Sequence, residues 1–147
     1  MMLLDTVIVG AGQAGLGVSY FLQQNGVEHI LFEQGRIGES WLSQRWDSFR
    51  LNISNLRNML PGFPYDGPKQ DAFSPTATLV DYFQKYVDRF ELPVRTGVTV
   101  VSVELADDKK SILVKIRAED GREESVASRS VVIDSVSNMT TKGCKRY

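Results

Sequence analysis

Asp5–Glu33, DTVIVGAGQAGLGVSYFLQQNGVEHILFE, decides the fold, because it reads as one strand–helix–strand unit with a dinucleotide-binding turn after its first strand. Thr6 to Val9 is a short apolar run carrying the β-branched residues of a buried parallel strand. It stops at Gly10, where GAGQAG begins. In such a turn Gly10 allows the chain to leave the strand sharply, Gly12 lets backbone approach a pyrophosphate, and Gly15 lets the helix pack close to the sheet. The phosphates then meet a helix N-terminus. Unpaired N–H groups and the positive end of the helix dipole stabilise an anion there without a Lys or Arg.

Outward from the turn, Gln13 to Asn25 is expected to be helical, with Ala14, Val18, Phe21 and Leu22 on the face turned to the sheet. Asn25-Gly26 is the expected stop, since glycine just past a helix accepts the left-handed conformation. His29 to Phe32 is a second apolar strand. Glu33 lies at its carboxyl end, 18 positions after Gly15, near the spacing of a ribose-binding acid. A carboxylate accepts hydrogen bonds from ribose hydroxyls and repels a 2′-phosphate, so the site favours FAD or NAD over NADP. His29 is the sole histidine, and its apolar strand points to a structural role.

The chain has 147 residues, enough for one compact domain with a core. Lys and Arg number 17 against 18 Asp and Glu, so no basic excess points to nucleic acid or to an anionic membrane surface. The single cysteine, Cys144, permits no intrachain disulfide and no cysteine metal cluster, so no metal is expected and a reducing cytoplasm fits. The opening MMLLDTVIVGAG lacks a basic region before its apolar residues, and no apolar run approaches the roughly 20 residues that span a bilayer. Neither a signal peptide nor a membrane span is expected.

Gly35 to Pro75 is rich in Gly, Pro, Asn, Ser and aromatics, and loops of that length are usually functional or held by a ligand. It holds both tryptophans, Trp41 and Trp46, with Arg45 and Arg50 among them. The tryptophans either anchor the loop to the core or border a planar cofactor ring, and the arginines can reach phosphate or a flavin's carbonyl edge. Ser74 to Phe90 reads as a packing helix, with Ser74 as N-cap, Pro75 in the first turn and an aromatic stripe for the core. Pro93 to Arg95 resembles a third parallel strand. Val98 to Glu104, Ile112 to Ala118 and Glu123 to Ala127, joined by the turn chemistry of ADDKKS and EDGR, form an antiparallel meander. Ser130 to Ile133 returns to the parallel sheet, and Asp134 to Tyr147 reads as a polar, frayed tail. The expected organisation is a dinucleotide-binding domain over 1–133 and an aberrant tail over 134–147.

With these residues in view, the chain resembles the amino-terminal FAD-binding part of the flavin-containing monooxygenase and Baeyer–Villiger-like flavoproteins over roughly residues 4–133. GAGQAG, LFE and above all GESWLSQRWDSFRLNISNLRNMLPGFP, Gly38 to Pro64, carry the resemblance. It implies an α/β, Rossmann-like FAD-binding fold, a parallel sheet plus an antiparallel β-meander covering one face. It implies FAD with its pyrophosphate on Gly10, Ala11, Gly12, Gln13, Ala14 and Gly15, and its ribose on Glu33 beside Gln34. Ser40, Trp41 and Arg45 are counted with the cofactor site, Val100 falls where adenine is held through backbone groups, and Asn52 matches a flavin-side asparagine. As a loop residue, Asn52 could equally bond its own backbone.

The activity so implied is NADPH-dependent oxygenation of a small organic substrate through a C4a-peroxyflavin, the flavin supplying the difficult chemistry. The sequence departs from that pattern after Ile133. Asp134-Ser135-Val136 stands where an ATG-like turn belongs, and neither a second glycine fingerprint for NADPH nor the FxGxxxHxxx(Y/W) signature occurs. The resemblance therefore implies a truncated amino-terminal piece, not active alone, with uncovered apolar sheet surface through which copies could associate. A non-catalytic remnant and a plain NAD-binding module are the alternatives.

Overall fold

A computed structural model of the chain describes residues 2–38, 60–63, 76–134 and 139–143, with backbone only for 76–78. Among these described residues lie seven strands and two helices: β1 (Leu3–Val9), α1 (Gln13–Gln24), β2 (His29–Glu33), α2 (Thr76–Phe90), β3 (Val94–Thr96), β4 (Val98–Leu105), β5 (Ile112–Ala118), β6 (Glu123–Ile133) and β7 (Thr140–Lys142). All seven strands join one mixed sheet in the order β3-β2-β1-β6-β5-β4-β7. The expected α/β fold, parallel strands plus an antiparallel meander, is what the chain adopts. β3, β2, β1 and the second half of β6 run parallel, while β6, β5 and β4 form the meander.

The period of two along each strand divides the core into two layers. On β1 and β2, Ile8 and Leu31 face a cluster with Leu16 of α1 and Leu79, Phe83 and Tyr86 of α2. Val7, Val9 and Phe32 face the other way, into a cluster with Val98, Val100, Val103, Val114 and Ile116 of the meander. A register shift between Val100 and Ser102 leaves Val101 as the extra residue of a β-bulge. That bulge lets Val98, Val100 and Val103 all meet the same core, although their spacing breaks strict alternation.

Three expectations differ from the structure. The helix α1 buries Gly15, Leu16 and Ser19, whereas Ala14 is exposed and Phe21 is 55% exposed, so its buried face is rotated from the expected one. Close approach at Gly15 and a buried polar pair set this rotation. Ser19 Oγ lies 2.8 Å from His29 Nε2, and His29 Nδ1 lies 2.9 Å from the Val27 carbonyl oxygen. A carbonyl only accepts, so Nδ1 carries the proton and Nε2 accepts from the serine hydroxyl. Ser19→Ala leaves that ring nitrogen buried without its donor, and a loss of about 1–2 kcal/mol is expected in urea unfolding. An unchanged midpoint would show that the pair contributes nothing.

Second, the two short strands expected between Glu123 and Ile133 are one strand of 11 residues, paired to β5 in its first half and β1 in its second. The polar residues that interrupt the apolar pattern, Ser128 buried and Arg129 and Ser130 exposed, find partners on β6 itself and on the adjoining β1. Ser128 Oγ donates to the Ser130 carbonyl at 2.7 Å, Ser130 Oγ donates to the Asp5 carbonyl at 2.9 Å, and Arg129 pairs with Asp5 at 3.3 Å. Third, within the stretch expected to fray, Thr140–Lys142 pairs parallel to β4.

The second helix packs as expected, with Tyr82, Phe83 and Tyr86 buried. It also holds the end of the family-specific loop. Leu60–Phe63 makes a tight turn with Gly62 at φ 76°, a Pro-Gly arrangement suited to a type II turn. Leu60 N–H donates to Tyr82 Oη at 2.7 Å, Tyr82 Oη donates to the Phe63 carbonyl, and Tyr86 Oη donates to the Pro61 carbonyl at 2.6 Å. Burial, then the neighbouring Tyr20 and Tyr82, push the Tyr86 phenol's ionisation well above its ordinary range, so it remains a donor.

Candidate functional site

β1 ends at a turn in which three successive amides are spoken for. Gly10 leaves the strand at φ 102°, a conformation that side chains resist, and its N–H donates to the Phe32 carbonyl at 2.8 Å. Ala11 N–H donates to Glu33 Oε2 at 2.7 Å, while Glu33 Oε1 accepts the Gly35 N–H at 3.0 Å. Gly12 N–H donates to Asp134 Oδ2 at 2.9 Å. Glu33 is 9% exposed, so β2 delivers a buried carboxylate that ties the turn to its own strand.

The two remaining glycines differ in what crowds them. A Cβ on Gly15 would lie 2.2 Å from the Gly10 carbonyl oxygen, which is backbone and cannot swing away. A Cβ on Gly12 would lie 2.6 Å from Asp134 Oδ2, the end of a side chain. Gly12 is the N-cap of α1 and has no side chain with which to cap. Asp134 supplies the missing acceptor from β6: its amide donates to the Val9 carbonyl at 2.8 Å, extending the β1–β6 ladder one residue beyond Ile133. Burial pushes the Asp134 carboxyl above its ordinary range, and hydrogen bonds from the Gly15 and Gly12 amides oppose that shift.

Of the residues assigned to the cofactor from sequence, Gly10, Ala11 and Gly12 form the turn. Gln13, Ala14 and Gly15 form the first turn of α1, with Gln13 and Ala14 exposed. Gly10, Glu33, Gln34 and Val100 meet around one small cavity of about 20 Å³, which Val98 and Met139 also line. Such a space holds about one water molecule and not a purine ring. Ser40, Trp41, Arg45 and Asn52, together with Trp46, Arg50, Ser74, Pro75 and Cys144, lie outside the described residues. Two residues at the site escaped the sequence reading, Asp134 and Met139. The acid after Ile133 was visible as a misfit in the expected turn; nothing in the sequence marks Met139.

No group of three or more His, Cys, Asp or Glu side chains among the described residues could hold a metal ion. Nor is any helix among them long and apolar enough to cross a membrane.

A glycine turn opening a helix, with an acid at the end of the next parallel strand, defines a dinucleotide-binding α/β protein. The chain belongs to the pyridine nucleotide-disulphide oxidoreductase family, whose sequence profile matches residues 7–133. It is 36% identical over 117 residues to the uncharacterized oxidoreductase CzcO of Bacillus subtilis, a match covering 79% of this chain and 33% of that protein. In structure it is similar to the bacillithiol disulfide reductase Bdr of Bacillus cereus, with TM-score 0.82 and 17% identity over 90% of this chain and 39% of that one. It is similar also to the flavin-containing monooxygenase of Stenotrophomonas maltophilia, with TM-score 0.73 and 25% identity over 90% of this chain and 38% of that one. The resemblance to flavin monooxygenases read from the sequence is borne out. The chain spans about a third of the length of the curated relatives it matches.

Proposed function

We propose that this chain is the FAD-holding part of a flavin-dependent oxidoreductase of the monooxygenase type, which uses NADPH and oxygenates a small organic substrate. One observation carries the reading: the Gly12 amide, at the start of α1, already donates to an anionic oxygen, beside a strand-end acid of ribose-binding spacing. Backbone shape and donor set therefore suit a diphosphate, provided that Asp134 gives up its place. Bound flavin would supply two-electron redox chemistry. The protein's part is to hold and orient. Gly12 and Gly15 leave room for the anion, and the α1 dipole favours its charge. Glu33 fixes the turn through two of about four lone-pair directions, and the others remain for ribose hydroxyls. The cytoplasmic location, the domain limits at 133 and 134, and the roles of Ser40, Trp41, Arg45, Asn52 and Val100 belong to this proposal, as does association of copies.

The visible spectrum of the chain after mixing with FAD and removing free cofactor tests it. Retained flavin absorbance is expected, and Gly12→Val is expected to abolish it, because a branched side chain would stand in the diphosphate's path. Flavin content unchanged in that variant would count against the site. A second reading, a fold that keeps its cradle for its own carboxylate and carries no cofactor, is favoured by the Asp134 contact alone; a chain that stays colourless at saturating FAD both with Asp134 in place and with it replaced by alanine would establish it.

A further inference from the structure

We infer that two residues following β6, Asp134 and Met139, are built-in competitors for the dinucleotide: the Asp134 carboxylate takes the amides that a diphosphate would take, and Met139 fills the space beside Glu33. The inference rests on the proposed dinucleotide site and specifies how access to it is controlled.

The placement of Asp134 is fixed by the sheet. Because its amide continues the ladder to Val9, its side chain emerges where β1 hands over to α1, and Oδ2 meets the Gly12 N–H. The same oxygen lies 3.2 Å from where a Cβ on Gly15 would stand, so the carboxylate covers the first turn of the helix as well. An anion in that position satisfies orphan amides and the dipole together, which is what a bound phosphate does. Two protein carboxylates now hold consecutive amides, Glu33 on Ala11 and Asp134 on Gly12. A diphosphate added beside both would meet like charge in a partly desolvated place. It can enter only as Asp134 leaves.

The second contact stands on different atoms. Dinucleotides lie across the carboxyl ends of parallel strands, with the nucleoside beyond the ribose-binding acid. In this chain that space is the cavity of about 20 Å³ between Gly10, Glu33, Gln34 and Val100, and Met139 is one of its walls. Met139 packs into the same cluster as Val9, Phe32 and Val100. Directly after it, Thr140–Lys142 pairs with Ser102 to Glu104 of β4, which holds the methionine in place. A flexible thioether chain fills irregular apolar space well, and it leaves without breaking a hydrogen bond of its own.

Fluorescence titration with FAD, on the full chain and on its Asp134→Asn, Asp134→Ala and Met139→Ala variants, tests the inference; riboflavin, which lacks diphosphate and adenosine, serves as the control ligand. Removing the competing charge is expected to tighten FAD binding about 10- to 100-fold, the range of one charge-assisted hydrogen bond. Met139→Ala is expected to tighten it less, and riboflavin binding should not move with any variant. Hydrogen exchange adds a readout on the segment itself: saturating FAD should speed exchange of the β7 amides. Equal FAD affinity in the parent and both Asp134 variants, or weaker affinity in the variants, overturns the competition and leaves the FAD site standing. FAD binding to none of the four chains overturns the nucleotide site, and the competition falls with it.

Discussion

Gly15→Val is expected to leave the chain unfolded or insoluble, the largest single effect of any substitution in the turn. The added Cβ would lie 2.2 Å from the Gly10 carbonyl oxygen, and two methyl groups would follow it toward Asp134. Relief would require moving backbone. Gly10 is held at φ 102° with its amide bonded to Phe32, so the turn cannot retreat without breaking the junction of β1 and β2. Overpacking a core costs about 1–3 kcal/mol and more where backbone must shift, against about 5–15 kcal/mol for a whole domain. Even Gly15→Ala should lose more than about 2 kcal/mol in urea unfolding, since the first methyl already meets the carbonyl. Gly12→Ala is the contrast: its Cβ meets only a carboxylate that can rotate away, so that chain should fold. A Gly15→Ala chain as stable as Gly12→Ala would show that helix and strand do not pack as closely as the structure has them.

Much of this was readable in the sequence, for reasons that differ from element to element. The β1–α1–β2 unit was legible because glycine spacing, apolar strands and an acid at a fixed distance each report a local constraint. The meander was legible because turn residues separate alternating runs, and the Ile112–Ala118 strand falls where that alternation puts it. The face of α1 was not, since close approach of Gly15 and the Ser19–His29 pair outweigh the apolar stripe that includes Phe21. Side-chain hydrogen bonds from Ser128 and Ser130 likewise let β6 continue through residues that look like a break. Part of the family-specific run has a structural role at the segment the structure describes: a Cβ on Gly62 would lie within 2.4 Å of the Tyr20 hydroxyl, and Tyr82 and Tyr86 hold the turn. At the site, the departure after Ile133 was visible as composition. That its acid would reach back to Gly12 depends on a pairing between residues more than a hundred positions apart, which no local pattern encodes.

Glu33→Ala is expected to separate the structural role of the strand-end acid from its role in binding. In the folded chain both carboxylate oxygens accept backbone donors, Ala11 N–H at 2.7 Å and Gly35 N–H at 3.0 Å, in a position where water has little access. Truncation strands two amides at about 1–3 kcal/mol each, so a loss of about 2–4 kcal/mol is expected in urea unfolding, less where water enters the space. Glu33→Gln keeps the shape and one carbonyl acceptor but turns an amide NH₂ toward a backbone N–H, and about half that loss is expected. FAD retention should fail in both variants, because neither keeps a carboxylate for the ribose hydroxyls. The two readouts need not move together. A destabilised Glu33→Ala chain that still holds FAD would make Glu33 a tether of the turn and nothing more; a stable one that has lost FAD would mean that the backbone bonds are dispensable. Unchanged stability and unchanged flavin together would remove the residue from the site, and with it the reason for preferring FAD or NAD over a 2′-phosphorylated nucleotide at this strand end.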